Sequence, residues 1–208
     1  MTESPERATH WDAAYRSRGV EGVSWFEATP TVSLELIGRL GIEASAAVLD
    51  VGGGASSLVD HLMAAGFVDV TVLDVSEVAL DMGRRRVGDR PEVSWLHQDV
   101  LVWQPDRRFG LWHDRAVFHF LTEEADRVRY LSTLAAAVGP NAGIVLATFA
   151  PDGPEYCSGL PVVRYSAEAL AAVLGNRFTV VASRREVHTT PGGVAQPFTW
   201  VAARAAST

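Results

Sequence analysis

Short apolar runs alternate along this chain with longer stretches in which apolar residues return every three or four positions. Val48-Leu49-Asp50-Val51 reads as a buried strand, Gly52-Gly53-Gly54-Ala55 as a tight turn, and from Ser56 onward Leu58, Val59 and Leu62 share one helix face. The same reading predicts helices over 5–18 and 29–40, then strand 48–51, helix 56–65, strand 69–74, helix 76–86 and strand 93–96. A fourth strand follows at 109–114, then helix 122–138, strand 144–149, helix Ala167–Leu174 and strands near 177–186 and 197–203. Thr122 is the expected N-cap of its helix, with Glu123 and Glu124 in the first turn, and residues 139–143 stop that helix. Such alternation predicts an α/β fold with a doubly wound, mostly parallel seven-stranded sheet. The last two strands lie too close for a crossover helix, so they are expected to close the sheet as an antiparallel hairpin. Residues 1–208 are read as a single domain, with an N-terminal helical segment over 1–45 and an α/β core over 46–208.

The strand–glycine–helix unit brings backbone N–H groups and a helix N-terminus toward a ligand. About 20 residues on, Val70-Thr71-Val72-Leu73-Asp74-Val75 reads as a second strand ending in an acid, where a nucleotide-binding βαβ unit places a carboxylate for ribose hydroxyls. An adenosine-containing cofactor is therefore expected. A nicotinamide domain usually opens on its glycine motif and continues in parallel βαβ units. Here residues 1–47 come first, the chain ends in a hairpin, and Ser57 breaks the G-x-G-x-x-G fingerprint. Asp50, two residues before Gly52, suits a cofactor that carries a sulfonium and an α-amino group. The residues point to S-adenosylmethionine.

Composition narrows the remaining classes. The 208 residues are 48% hydrophobic, enough for one substantial core, and the net charge of -7 offers no basic face for nucleic acid. Arg84-Arg85-Arg86 is read as a solvated helix face. No apolar run reaches the ~18 residues of a membrane span and no signal peptide is evident. Cys157 is the only cysteine, which excludes an internal disulfide and fits a cytoplasmic protein. All 18 basic residues are arginine, so pyridoxal-phosphate, Schiff-base and P-loop chemistry, each dependent on a lysine, are excluded.

With these residues in place the chain resembles the class I S-adenosylmethionine-dependent methyltransferases over most of its length. The family pattern D/E-x-G-x-G-x-G stands here as Asp50-Val51-Gly52-Gly53-Gly54-Ala55-Ser56, with serine at the third glycine. The resemblance implies a Rossmann-like fold in which Gly52, Gly53 and Gly54 cradle the cofactor. It also implies that Asp74, followed by Val75, holds the ribose, and that Asp99-Val100 receives the adenine. Trp11-Asp12-Ala13-Ala14-Tyr15 and Ser24-Trp25-Phe26 are similar to the W-D-x-x-Y…W-F lead of a branch that includes elongation-factor lysine methyltransferases. That likeness makes 1–45 an N-terminal helical lid on a cofactor-binding core over 46–208 and places Trp11, Tyr15 and Trp25 over the cofactor, where aromatic faces attract a sulfonium. Arg115 aligns with a lysine of that branch and is expected to reach the cofactor carboxylate, although arginine differs from lysine in shape.

Candidate chemistry gathers at the end of the fourth strand. His113 and His119 are the candidate bases, since histidine titrates near ~6.5 and a base is needed when the nucleophile arrives protonated. No metal site is expected. The loop over 151–161 follows the fifth strand, and Tyr156, Cys157 and, beyond it, Arg164 are the candidate substrate contacts. Three functions stay open: methyl transfer to O, N or S of a small molecule, methylation of protein lysine, and a non-catalytic cofactor-binding or NAD-binding domain. The product would be S-adenosylhomocysteine. The partner is expected to be a small-molecule acceptor, with no nucleic acid and no membrane, and the oligomeric state is open.

Overall fold

A computed structural model describes residues 4–207; the first three residues of the expected lid and Thr208 lie outside the described residues. The chain runs α1 (Ser4–Gly22), α2 (Thr31–Leu40), β1 (Val48–Val51), α3 (Leu58–Ala64), β2 (Val70–Asp74), α4 (Glu77–Val87) and β3 (Val93–His97). It continues with β4 (Phe109–Arg115), a 3-10 turn at Phe118–Phe120, α5 (Glu124–Ala137), β5 (Val138–Phe149) and the small hairpin β6 (Tyr156–Cys157) and β7 (Leu160–Pro161). Helix α6 (Ala167–Leu174), β8 (Phe178–Thr189) and β9 (Ala195–Ala205) complete it.

The seven-stranded sheet has the order β3-β2-β1-β4-β5-β9-β8, parallel from β3 to β5, with β9 and β8 antiparallel. Every residue of β1 and β2 is buried, as a parallel sheet covered on both faces requires. Alternation along the strands supplies two cores. Leu49, Val51, Trp112 and Ile144 face α5 and α6, whereas Val48, Leu111, Val145 and Trp200 face α2 and α3. The strand order reverses between β1 and β4, and ligands of open α/β sheets bind in the crevice outside that point.

Three local readings need correction. Leu58, not Ser56, begins α3, because the Ser56 side chain accepts the Leu58 N–H (3.1 Å) and finishes the turn first. Thr122 is not the cap of α5: the capping position is Glu123, which makes no side-chain bond, while the Arg127 guanidinium donates to the carbonyls of Leu121 and Thr122. Finally, α5 passes straight into β5 at Val138. The ladder then jumps from Phe109↔Val138 to Leu111↔Gly143, leaving 139–142 out of register with Asn141 at φ 59°.

The N-terminal segment lies across the switch point. Helix α1 kinks at Gly19 (φ 67°, ψ -178°). Asp12 Oδ1 accepts from Ser76 Oγ (2.7 Å) and from the Val78 N–H (3.2 Å), so an α1 carboxylate completes the N-terminus of α4 that Ser76 caps. Further on, the carbonyls of Ser24, Trp25, Glu27 and Ala28 accept from His188, Arg115, Ser57 and His61, at 2.8, 2.9, 2.8 and 3.2 Å. Side chains of β8, β4 and the start of α3 thus strap this stretch down.

Candidate active site

The glycine turn after β1 is shaped by what it must pass. Gly52 has φ +67°, and a Cβ there would lie 2.1 Å from Val117 Cγ2, so no larger residue fits without displacing the turn after β4. Arg86 fixes the far side of this loop. Its guanidinium donates to the carbonyls of Ala55 and Ser56, both at 2.6 Å, and pairs with Asp60 at 2.9 Å. The arginine run read as a solvated face therefore contains a clamp on the binding loop. Arg86→Met is expected to lower the unfolding free energy by ~1–2 kcal/mol in urea titrations, discounted for the partial exposure of the pair. An unchanged midpoint would show that the loop holds its shape alone.

A cavity of about 320 Å³ opens beside this turn. On the β2–β3 side it is lined by Asp74, Val75, Asp99, Val100 and Leu101. Burial, reinforced by the Asp50 charge, pushes the Asp74 carboxyl up to about 7, although the Ser76 N–H donates to it at 2.7 Å. Asp99 Oδ1 accepts the Leu101 N–H at 2.9 Å, while its buried Oδ2 has no hydrogen-bond partner even with Arg7 Nε 3.5 Å away. Trp11, Tyr15 and Trp25 form the roof. Trp25 Nε1 donates to Tyr15 Oη at 3.0 Å, and Trp11 meets Trp25 and Phe120 edge-on at 5.4 and 5.0 Å. On the β4–β5 side the lining is Ala116, Val117, Phe120, Cys157, Leu160 and Pro161.

A side pocket of about 50 Å³ shares Tyr15, Trp25, Val51, Gly52 and Arg115 with this cavity and adds Asp50, Gly53, Ser33 and His113. Arg115 Nη1 donates to the Trp25 carbonyl at 2.9 Å and Nη2 pairs with Glu27 at 3.1 Å, while Nε has no hydrogen-bond partner. Gly54 packs behind Asp74, where a Cβ would lie 2.6 Å from Asp74 Oδ2.

The candidate bases and substrate contacts fare unevenly. His119 is fully buried between Phe120 and Phe149 and is not among the residues lining the cavity. Burial and the Arg115 charge lower its pKa to about 3, so it is neutral; Nδ1 accepts the Phe149 N–H at 3.4 Å and Nε2 has no hydrogen-bond partner. His113 is enclosed, with both ring nitrogens engaged. Neither histidine has the geometry of a general base. Cys157 lines the cavity, but burial pushes its thiol up to about 12. Tyr156 points to solvent, and Arg164 is held by Glu155 (3.0 Å) and the Gly153 carbonyl (3.1 Å), so neither belongs to the cavity lining.

The cavity fits a nucleoside with a charged tail. It offers a carboxylate at the end of β2, an Asp99 oxygen that is paired with Arg7 but accepts no hydrogen bond, and Val75, Val100 and Leu101 as apolar walls for a flat ring. A family model described as a methyltransferase domain matches residues 48–141. With this sheet order and this cradle, the chain has the Rossmann-like fold of the class I S-adenosylmethionine-dependent methyltransferases, and the matched methyltransferase domain implies S-adenosylmethionine as the cofactor. Among curated proteins it is similar to the eEF1A lysine and N-terminal methyltransferase of Bos taurus, 30% identical over 136 residues, covering 62% of this chain and 19% of that protein. The chain thus spans about a fifth of that relative's length. Among solved structures it is similar to the Burkholderia thailandensis 1,6-didemethyltoxoflavin-N1-methyltransferase, solved with 1,6-didemethyltoxoflavin and S-adenosylhomocysteine. The TM-score is 0.75 at 22% identity over 99% of this chain and 92% of that one. The [4+2]-cyclase SpnF shares the fold as well, with a TM-score of 0.76 at 14% identity over 99% and 97% of the two chains. Among the described residues, no helix is long and apolar enough to cross a membrane.

Proposed function

We propose that this chain transfers a methyl group to an O, N or S atom of a small, largely apolar molecule. The observation that carries this reading is the β4–β5 half of the cavity. Phe120, Leu160, Pro161 and Cys157 line it together with Trp11 and Trp25, while Asp74 stands at the end of β2 and Asp99 and Asp126 both face Arg7. An apolar or aromatic ring would bury its surface against these walls.

In this reading Asp74 accepts the ribose hydroxyls, and Asp99 Oδ2 accepts the adenine amino group between Val75 and Val100. Asp50 and Arg115 face the amino and carboxylate ends of the tail, over the turn Gly52-Gly53-Gly54. S-adenosylmethionine, when bound, supplies a methyl group on a cationic sulfur, already activated toward a nucleophile. Trp11, Tyr15 and Trp25 exclude water and present aromatic faces to that charge. His119, His113 and Cys157 are not placed to take a proton, so the protein's contribution is alignment and desolvation, and the acceptor brings its own lone pair.

Protein lysine is the second reading, favoured by the name of the curated relative. Labelled methyl transfer separates the two. Purified protein is offered a panel of small aromatic thiols, phenols and amines on one side and intact eEF1A on the other. Transfer to members of the panel with unlabelled eEF1A is the expected result; labelled eEF1A with an inert panel overturns it. Failure to bind S-adenosylhomocysteine would remove both readings.

A further inference from the structure

One buried polar chain stands apart from the catalytic reading. Asp50 on β1 and His113 on β4 are register partners across the parallel ladder, so their side chains leave the same face of the sheet. His113 Nδ1 donates to Asp50 Oδ1 at 2.7 Å, and on its other side Nε2 lies 2.9 Å from Ser33 Oγ on α2. The carboxylate can only accept, so the ring donates from Nδ1, and Nε2 and the Ser33 hydroxyl complete the chain. All three residues are buried, with Trp200 6.5 Å from the His113 ring and Leu58 in the same pocket wall. Polar groups cost free energy in such surroundings, and an apolar trio of the same volume would pack there without that cost.

What the trio achieves is the aim of one oxygen. With Oδ1 held by His113, Asp50 turns Oδ2 toward the glycine turn, where it would lie 2.4 Å from a Cβ on Gly53; only glycine leaves that room. Asp50 lines the side pocket of about 50 Å³, which has space for a group a little larger than one water. The other charges lining that pocket, Glu27 and Arg115, already pair with each other. A small cation is the complement of what remains.

We propose that His113 and Ser33 are positioning residues that act through Asp50 to hold the ammonium of the cofactor's amino-acid tail. This rests on the methyltransferase reading above. Helix α2 thereby contributes to cofactor recognition through Ser33.

The test compares two ligands that differ in that tail. S-adenosylhomocysteine carries the ammonium; 5′-methylthioadenosine keeps adenine, ribose and sulfur and lacks it. In calorimetric titrations His113→Leu is expected to weaken S-adenosylhomocysteine by about ten- to hundredfold while changing 5′-methylthioadenosine by less than about twofold. His113→Asn, whose amide can reach Asp50 from the Nδ1 position, should recover most of the loss. Ser33→Ala keeps the Asp50–His113 bond and is expected to give the same selectivity at about two- to tenfold, which supplies the answer if His113→Leu does not fold. Parallel weakening of both ligands, or unchanged S-adenosylhomocysteine affinity in the folded variants, overturns the proposal and leaves the methyltransferase reading intact. Wild-type protein that binds neither ligand would instead overturn that reading.

Discussion

Replacing Asp74 by alanine is expected to weaken S-adenosylhomocysteine by ~1.5–3 kcal/mol, since two hydroxyl donors would lose a charged acceptor. The pH dependence is the sharper signature. Without ligand, burial and the Asp50 charge hold the Asp74 carboxyl up to about 7, so near neutrality a sizeable fraction is protonated. Hydroxyls that donate to the carboxylate favour its ionised form. Binding should therefore release a proton, and affinity should rise with pH through about 7 and level off above it. Calorimetry in buffers of different ionisation enthalpy reads that proton directly, and Asp74→Asn should bind weakly and without the pH dependence. Equal wild-type affinities at pH 6 and pH 8, with no proton released, would take Asp74 out of the ribose site.

Asp114→Ala should be the most destabilising single substitution near the site, costing about 3–5 kcal/mol in denaturant titrations. Asp114 is fully buried at the end of β4. Oδ1 accepts the Val117 N–H at 2.8 Å, Oδ2 accepts the Phe118 N–H at 3.2 Å, and Tyr130 Oη donates to Oδ2. Tyr130 in turn accepts from Trp112 Nε1 at 2.9 Å. Alanine strands these donors in a dry interior and removes the side chain that shapes the turn at Ala116 (φ 72°) and Val117. A pH signature accompanies this. Burial raises the Asp114 pKa from 3.8 to about 6, with the hydrogen bond from Tyr130 opposing the shift. The folded state therefore binds the proton more tightly than the unfolded chain. Its contribution to stability is fully present below about 4 and is lost as pH rises through about 6. The wild type should lose stability over that window relative to Asp114→Ala, and identical slopes for the two proteins would show that Asp114 does not carry the linkage.

The parts of this site that were legible in the sequence are those set by local spacing. Val48–Val51, the glycines after it, and Asp74 and Asp99 beyond two later strands announce themselves because a βαβ unit fixes each at a strand end. Helix Ala167–Leu174 is read with the bounds the structure gives it, where Ser166 Oγ accepts the Ala169 N–H. What escaped depends on strand order. Asp50, His113 and Ser33 are separated by 63 and 80 residues and meet only because β1 lies beside β4 and α2 covers that face. Arg86 looked like one of three solvated arginines, since nothing in a charge run tells which member faces a loop 30 residues away. His119 sits two residues after Val117, which lines the cavity, yet the 3-10 turn rotates it inward against Phe149. A histidine in the right loop is not yet a histidine at the right atom.

The fastening of the roof bears on how a ligand comes and goes. Carbonyls from Ser24 to Ala28 are pinned from three elements, so that end is a fixed anchor. Trp11 and Tyr15 lie on the other side of the kink at Gly19, and their helix is moored by Asp12 to the first turn of α4. Were that helix to lift for a ligand to leave, its backbone already bends at Gly19, and Asp12 is a catch that works beside the Arg7–Asp99 pair and the Tyr15–Trp25 bond. Weakening the catch, as in Asp12→Ala, should quicken the departure of product far more than it alters the chemistry inside, so the exit rate and the bond-making rate are set by different residues.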